Sequence, residues 1–117
     1  MQEMQMLITR LFQGQEYKME MLNGQPIIDI GFQFFYDDCG TETDFDFPDY
    51  SSSYFKIYNE RSGRLLKTIP LTKSGNILMI NSTDTDLDDL GNYWYEVIYI
   101  MAGGYEQILR FGNLEVI

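Results

Sequence analysis

Carboxylates are the side chains of this sequence that could do chemistry. Asp and Glu account for 18 of the 117 residues, against eight Lys and Arg and no histidine. A pair such as Asp88-Asp89 could perform acid–base work on a glycosidic bond. Histidine, however, is the most frequent general base of enzymes, and carboxylates at turns usually accept backbone hydrogen bonds and stay solvated. We therefore predict a non-enzymatic protein with no catalytic residue and no cofactor.

Calcium binding is the second chemistry that the carboxylates suggest. The segment from Asp84 to Asp88 alternates Asp with other residues, as the start of an EF-hand loop does. That loop requires Gly at its sixth position and Glu at its twelfth, where this chain has Asp89 and Tyr95. The motif fails, and we predict no metal ligands. An irregular calcium site here or within Asp44 to Asp49 remains an alternative.

Cys39 is the single cysteine, so the chain cannot form an internal disulfide. Its neighbours Asp37 and Asp38 disfavour a thiolate, and no histidine is present to activate it. An incidental thiol is the simpler interpretation. Small secreted domains usually depend on disulfides, so this composition favours folding in a reducing compartment.

The charge balance limits the possible partners. The formal net charge is −10, which argues against nucleic acid and against anionic membrane surfaces. The N-terminus lacks the pattern of a signal peptide, and no apolar run is long enough to span a membrane. With 44% hydrophobic residues, the chain is predicted to fold as a single domain over residues 1–117 whose charge attracts basic partners.

Short runs of β-forming residues separated by turn signals cover most of the chain. Asn23-Gly24 predicts a hairpin, and no segment has a convincing helical period. The turn from Asp89 through Gly91 to Tyr93 has the spacing of a tyrosine corner, and Tyr95 stands where an immunoglobulin domain has its second cysteine. These features predict an all-β immunoglobulin-like sandwich of about seven or eight antiparallel strands without a disulfide.

Two further stretches complete a pattern that extends over the whole chain. One is the strand pair around Ser62-Gly63, and the other is the run from Ile108 through Gly112 to Val116. Together with the Asn23-Gly24 hairpin and the corner motif, they resemble the small immunoglobulin-like module of tailed-phage virion proteins. That module is best known from the N-terminal domains of upper baseplate and fibre-bearing proteins.

The resemblance implies a structural role in a phage virion. Because the module usually continues into a fibre and this sequence stops at Ile117, we expect a free-standing auxiliary protein. The first hypothesis is a decoration protein that binds and stabilises the capsid, with the major capsid protein as partner, possible self-association, and assembly in the bacterial host cytoplasm. A baseplate, neck or tail accessory protein is the same-class alternative, and a carbohydrate-binding module is the alternative from another class.

Aromatic residues indicate where a partner would bind. The segment from Asp37 to Ser53 interleaves acids with aromatic rings and is predicted to be a long loop at an interface. On the strand from Asn92 to Met101 both faces are apolar, and the second face is predicted to be a contact patch unless another segment covers it. The predicted contact residues are Asp44, Phe45, Asp46, Phe47, Tyr50 and Tyr54 in the segment, and Trp94, Ile98 and Ile100 on the strand.

Overall fold

The computed structural model describes residues 5–10, 17–21, 30–38, 41–80 and 90–116. These residues form nine strands and no helix. The strands are β1 (Gln5–Arg10), β2 (Tyr17–Met21), β3 (Ile30–Asp38), β4 (Thr41–Asp44), β5 (Tyr50–Tyr58), β6 (Leu65–Ser74), β7 (Ile77–Ile80), β8 (Gly91–Met101) and β9 (Glu106–Val116). The all-β prediction is confirmed.

The strands form one curled sheet in the order β1-β3-β7-β6-β5-β8-β9-β2, with β4 also paired to β3. The sheet folds over itself at β6. Residues 65–70 of this strand pair with β5, and residues 71–74 pair with β7. A strand that changes partner at a bend is one way to form the corner between two packed layers. The result is a sandwich-like domain.

Seven strands, β3 to β9, pair in antiparallel fashion. The two N-terminal strands pair in parallel instead, β1 with β3 and β2 with β9. They therefore lie at opposite ends of the sheet although they are adjacent in the sequence. Sequence patterns predicted the number of antiparallel strands but could not reveal these long-range parallel pairs, since pairing depends on residues about 25 and 95 positions away.

The prediction of one long loop from Asp37 to Ser53 is wrong. Strand β3 continues to Asp38, β4 follows, and β5 begins at Tyr50, so only residues 45–49 are irregular between β4 and β5. Strand β9 runs through Gly112 and Asn113 without a break. Gly112 is buried opposite Tyr95.

The core lies between the two layers and consists largely of aromatic rings. Strand β5 alternates buried and half-buried residues, with Phe55 and Ile57 completely buried. The Phe55 ring stacks on Phe32 of the other layer, with centroids 5.8 Å apart. The other buried members of the core are Phe34, Phe45, Phe47, Ile69, Leu71, Leu78, Tyr95, Val97, Tyr99, Leu114 and Val116.

One charged side chain enters this core. Arg110 is only 6% exposed, and its Nε donates a hydrogen bond to the Tyr95 hydroxyl at 3.0 Å. Its guanidinium carbon lies 5.9 Å from the centre of the Phe32 ring, while the Tyr95 ring stacks on Phe55 at 5.4 Å. The hydroxyl and the faces of the rings give the buried cation polar and π contacts, which it needs away from water.

Candidate protein-binding surfaces

Two loops meet at one end of the sandwich and form the first candidate surface, which we call the loop end. It consists of residues 45–49, between β4 and β5, and residues 102–105, between β8 and β9. The N–H of Ala102 donates to the carbonyl of Asp49 at 2.7 Å and joins the two loops. Asp46, Pro48 and Asp49 are exposed, and Tyr105 is 71% exposed. The surface therefore offers carboxylates beside one exposed aromatic ring.

Phe45 and Phe47 hold the loop end onto the core. They are 5% and 2% exposed, and both rings pack against Tyr99, at 5.9 and 5.4 Å between centroids. The prediction that they form an exposed contact surface is therefore wrong. The alternation of rings with acids was interpreted as a solvated interface. In the fold, the same alternation turns the rings inward and leaves Asp44 and Asp46 exposed.

The backbone of the loop end has two strained φ angles and is held by hydrogen bonds. Phe47 and Asp49 have φ angles of 50° and 55°, in the left-handed region that a bulky side chain rarely adopts. Such a conformation costs about 1–3 kcal/mol and persists where the surroundings enforce it. Here the N–H of Tyr50 donates to the carbonyl of Phe47 at 3.2 Å, and the Tyr99 hydroxyl donates to the carbonyl of Pro48 at 3.3 Å. The loop end is thus held in one shape.

Asp44, Tyr50 and Tyr54 occupy three different settings. Asp44 is exposed and accepts a hydrogen bond from the Asn76 amide at 3.2 Å. Tyr50 is half-buried and shares a hydrogen bond of 2.8 Å with the Ser53 hydroxyl. Tyr54 is also half-buried, but it belongs to β5 opposite Ile98 and does not join the loop end. Their contact with a partner stays a prediction.

The second candidate surface is the side of β5, β8 and β9 that faces away from the core, which we call the outer face. On β8 it carries Trp94, Glu96, Ile98 and Ile100. Trp94 is 6% exposed and Ile98 is 1% exposed, so the prediction that they form an exposed patch is wrong; Ile100 is half-buried. The face is covered, as the alternative prediction required, but in the described residues the cover over Ile98 comes from neighbouring strands and not from a loop.

Long side chains from the flanking strands provide that cover. Lys56 on β5 forms an ion pair with Glu106 on β9, with 3.2 Å between Nζ and Oε1. Since β8 lies between these strands, the lysine side chain must cross over it. Ile98 is the β8 residue between the rows of Lys56 and Glu106, opposite Ile108. The methylenes of the lysine stem can shield an apolar residue while the ammonium reaches water.

A groove of about 370 Å³ opens at the other end of the outer face. The guanidinium carbon of Arg61 lies 5.1 Å from the centre of the Trp94 ring, within the range of a cation–π contact. The Trp94 and Phe111 rings lie 5.7 Å apart. The groove is therefore mainly aromatic, with one carboxylate and one guanidinium. Its lining residues are Tyr58, Arg61, Ser62, Trp94, Glu96, Ile108 and Phe111.

The hairpin between β5 and β6 presents Arg61 to this groove. Its base is closed by the N–H of Asn59, which donates to the carbonyl of Arg64 at 3.0 Å, and its tip by the N–H of Gly63, which donates to the carbonyl of Glu60 at 2.9 Å. A side chain at Gly63 would collide with Asn59 and would come within 3.0 Å of the Glu60 carbonyl. The tight turn therefore favours glycine at this position.

Tyr58 and Glu96 form a polar pair on the groove wall. Burial, followed by a hydrogen bond to Glu96 and the charges of Glu96 and Glu106, raises the pKa of Tyr58 to about 12. The phenol of Tyr58 is therefore protonated at physiological pH, and its hydroxyl donates a hydrogen bond to the Glu96 carboxylate. Sequence analysis missed Tyr58, Arg61 and Phe111. Only the strand register shows that Tyr58 and Phe111 share a face with Trp94.

Other predicted features are tested only in part. Asp89 lies outside the described residues, so the tyrosine corner stays a prediction. Gly91 has a φ of 144°, which favours glycine, and Tyr93 packs against the core at the start of β8. Among the described residues, no group of three or more Asp, Glu or Cys could hold a metal ion. The described part of the chain also contains no helix that is long and apolar enough to cross a membrane.

Comparison with solved structures finds the same fold in a phage protein. The chain is similar to the N-terminal domain of phage TP901-1 ORF48, with a TM-score of 0.59 and 10% sequence identity. The match covers 98% of this chain and 98% of that domain. No protein-family model and no curated protein matches the sequence. At this identity the likeness shows the fold alone, over the whole length of the domain.

Proposed function

We propose that this chain is a non-enzymatic structural protein of a phage virion that binds other virion proteins in the baseplate or elsewhere in the tail. The observation that carries the proposal is the end-to-end match to a phage domain. The sequence resembles N-terminal domains of upper baseplate proteins, and this structural neighbour is also an N-terminal domain of a phage protein. Both favour the baseplate alternative over capsid decoration, which had been the first hypothesis.

The loop end is the surface that we propose for this docking. Its shape is fixed by two buried phenylalanine rings and by hydrogen bonds to Pro48 and Asp49. A surface that is already ordered loses less conformational entropy on binding. The exposed carboxylates beside Tyr105 suit a partner surface with basic residues, as does the net charge of −10.

Purified particles provide the test of the virion role. Quantitative mass spectrometry should find the chain in particles at a copy number of the order expected for a tail component, about a dozen or a few dozen. A copy number in the hundreds would restore the capsid-decoration hypothesis. Absence from particles would contradict the structural role altogether.

The docking surface has its own test. The variant D46N/D49N/Y105A should fold normally but enter particles much less than wild type, because it removes both carboxylates and the exposed ring. The matched control E60Q/L65A changes an exposed acid and an exposed apolar residue away from the loop end. Equal incorporation of both variants would exclude the loop end as the docking surface.

Carbohydrate binding, the alternative from another class, has less support. In the free chain Trp94 is 6% exposed and lies beneath Arg61, so it does not present an open ring face to a sugar. Among the described residues of the loop end, Tyr105 is the one exposed ring, whereas a sugar platform usually combines several.

A further inference from the structure

The groove on the outer face already holds a guanidinium. Arg61 extends from an exposed hairpin and places this group 5.1 Å from the Trp94 ring centre. Beside it, open space remains between Tyr58, Phe111 and Glu96. An exposed cation–π contact of this kind contributes about 0.5–1 kcal/mol, and the same ring face can accept the guanidinium of another chain.

We propose that this groove is a binding site for an arginine side chain of a partner protein, and that Arg61 occupies it in the free chain. In the complex the partner's guanidinium lies on Trp94, its charge pairs with the Glu96 carboxylate, and its aliphatic stem packs against Phe111 and Ile108. The inference rests on the proposed function for its partner, which is a neighbouring virion protein.

Three features of the groove favour arginine over other ligands. The floor and wall are aromatic rings, on which a planar guanidinium stacks well. The Glu96 carboxylate is directed by the Tyr58 hydroxyl and can accept charge-assisted hydrogen bonds from a fork of N–H donors. The chain as a whole carries a charge of −10, which attracts basic segments from a distance. The same negative charge would repel an anionic ligand.

Trp94 makes the site directly observable, because it is the single tryptophan of the chain. A short peptide with one central arginine and neutral flanking residues is titrated into the purified protein while Trp94 emission is recorded. The matched control peptide carries citrulline, which has nearly the same shape without the charge. We expect the arginine peptide to change the emission saturably and the citrulline peptide to have little effect.

Two variants identify the interactions. R61A removes the internal competitor and should bind the arginine peptide at least about twofold more tightly than wild type, the factor expected for loss of the Trp94 cation–π contact alone. E96Q keeps the shape but removes the charge and should bind roughly tenfold more weakly, as expected for a charge-assisted hydrogen bond. Unchanged thermal unfolding of both variants would show that the effects arise at the groove.

The inference is overturned if the arginine peptide leaves Trp94 emission unchanged in both wild type and R61A. It is also overturned if citrulline and arginine peptides bind equally, or if a neutral oligosaccharide changes the emission and the arginine peptide does not. These outcomes are independent of particle assembly. A failed titration of a chain that is present in particles rejects the groove alone, and a positive titration of a chain absent from particles rejects the virion role alone.

Discussion

The loop end and the outer face begin from the same kind of sequence and reach different structures. Both combine aromatic or aliphatic residues with acids. The first was predicted to be an exposed interface, and the second to be either a contact patch or a face that another segment covers. At the loop end the rings of Phe45 and Phe47 turn into the core and the acids remain outside. On the outer face Ile98 remains on the side away from the core but is covered by neighbouring strands. Burial therefore follows from which elements lie nearby, and not from the local pattern alone.

The largest expected effect is a difference in unfolding free energy between variants of the buried Phe47 ring and the exposed Asp46 carboxylate at the loop end. Phe47→Ala should lower the free energy of unfolding by about 3–5 kcal/mol, since a buried aromatic side chain is replaced by a cavity. Asp46→Ala, one residue away but exposed, should change it by about 0.5 kcal/mol or less. Urea unfolding followed by circular dichroism measures both. Equal small effects would mean that the loop end is not part of the core.

The next effect tests whether the outer face is buried. Ile98 and Ile108 are direct partners across β8 and β9 but are 1% and 55% exposed. Ile98→Ala should lower the free energy of unfolding by about 2–5 kcal/mol, and Ile108→Ala by about 0.5 kcal/mol or less. If the two variants unfold at the same urea concentration, Ile98 is as accessible as its partner and the outer face is an open patch.

A smaller effect resolves how Lys56 covers the outer face. Lys56→Met keeps most of the stem and removes the ion pair with Glu106, which should cost about 0.2–1 kcal/mol. Lys56→Ala removes the stem as well and should cost more, because Ile98 then loses its cover. Urea unfolding at low and high salt distinguishes the two contributions. A Met variant as unstable as the Ala variant would assign the effect to charge alone.

The smallest effect concerns Tyr58 at the groove. Its pKa is raised to about 12, against about 10 in the unfolded chain, so the folded state holds the proton more tightly. The contribution of Tyr58 to the free energy of unfolding is therefore fully present below pH 10 and is lost as the pH rises from 10 to 12. Glu96→Gln should move the ionisation of Tyr58 towards 10, as measured by the absorbance of tyrosinate. An unchanged titration in this variant would show that Glu96 does not contribute to the raised pKa of Tyr58.

Much of the fold was accessible from the sequence because local signals set it. Runs of β-forming residues between turn signals predicted β5 and β8, and Ser62-Gly63 predicted the hairpin between β5 and β6. The all-β class followed from such segments. The parallel pairing of β1 with β3 and of β2 with β9 could not be predicted, since it depends on contacts with distant strands. The extension of β3 past Tyr36 was also missed, because its acidic residues have low strand propensity.

The candidate surfaces were less predictable than the fold. The sequence singled out Trp94 correctly as a residue on the second face of β8, but not the Arg61 side chain that lies over it. That contact requires the hairpin to fold back onto the sheet. Tyr105, which the sequence analysis did not single out, lies in the turn before β9 and is exposed. Side-chain exposure at turns depends on where neighbouring loops lie.

The parallel pairing of β2 and β9 affects how the domain carries mechanical load. Their five residue pairs extend from Tyr17 with Gly112 to Met21 with Val116. When two strands run in the same direction, tension between the N-terminal and C-terminal ends pulls them lengthwise in opposite senses. All the hydrogen bonds between them are then sheared together and do not open one after another. A domain clamped in this way resists stretching along the chain.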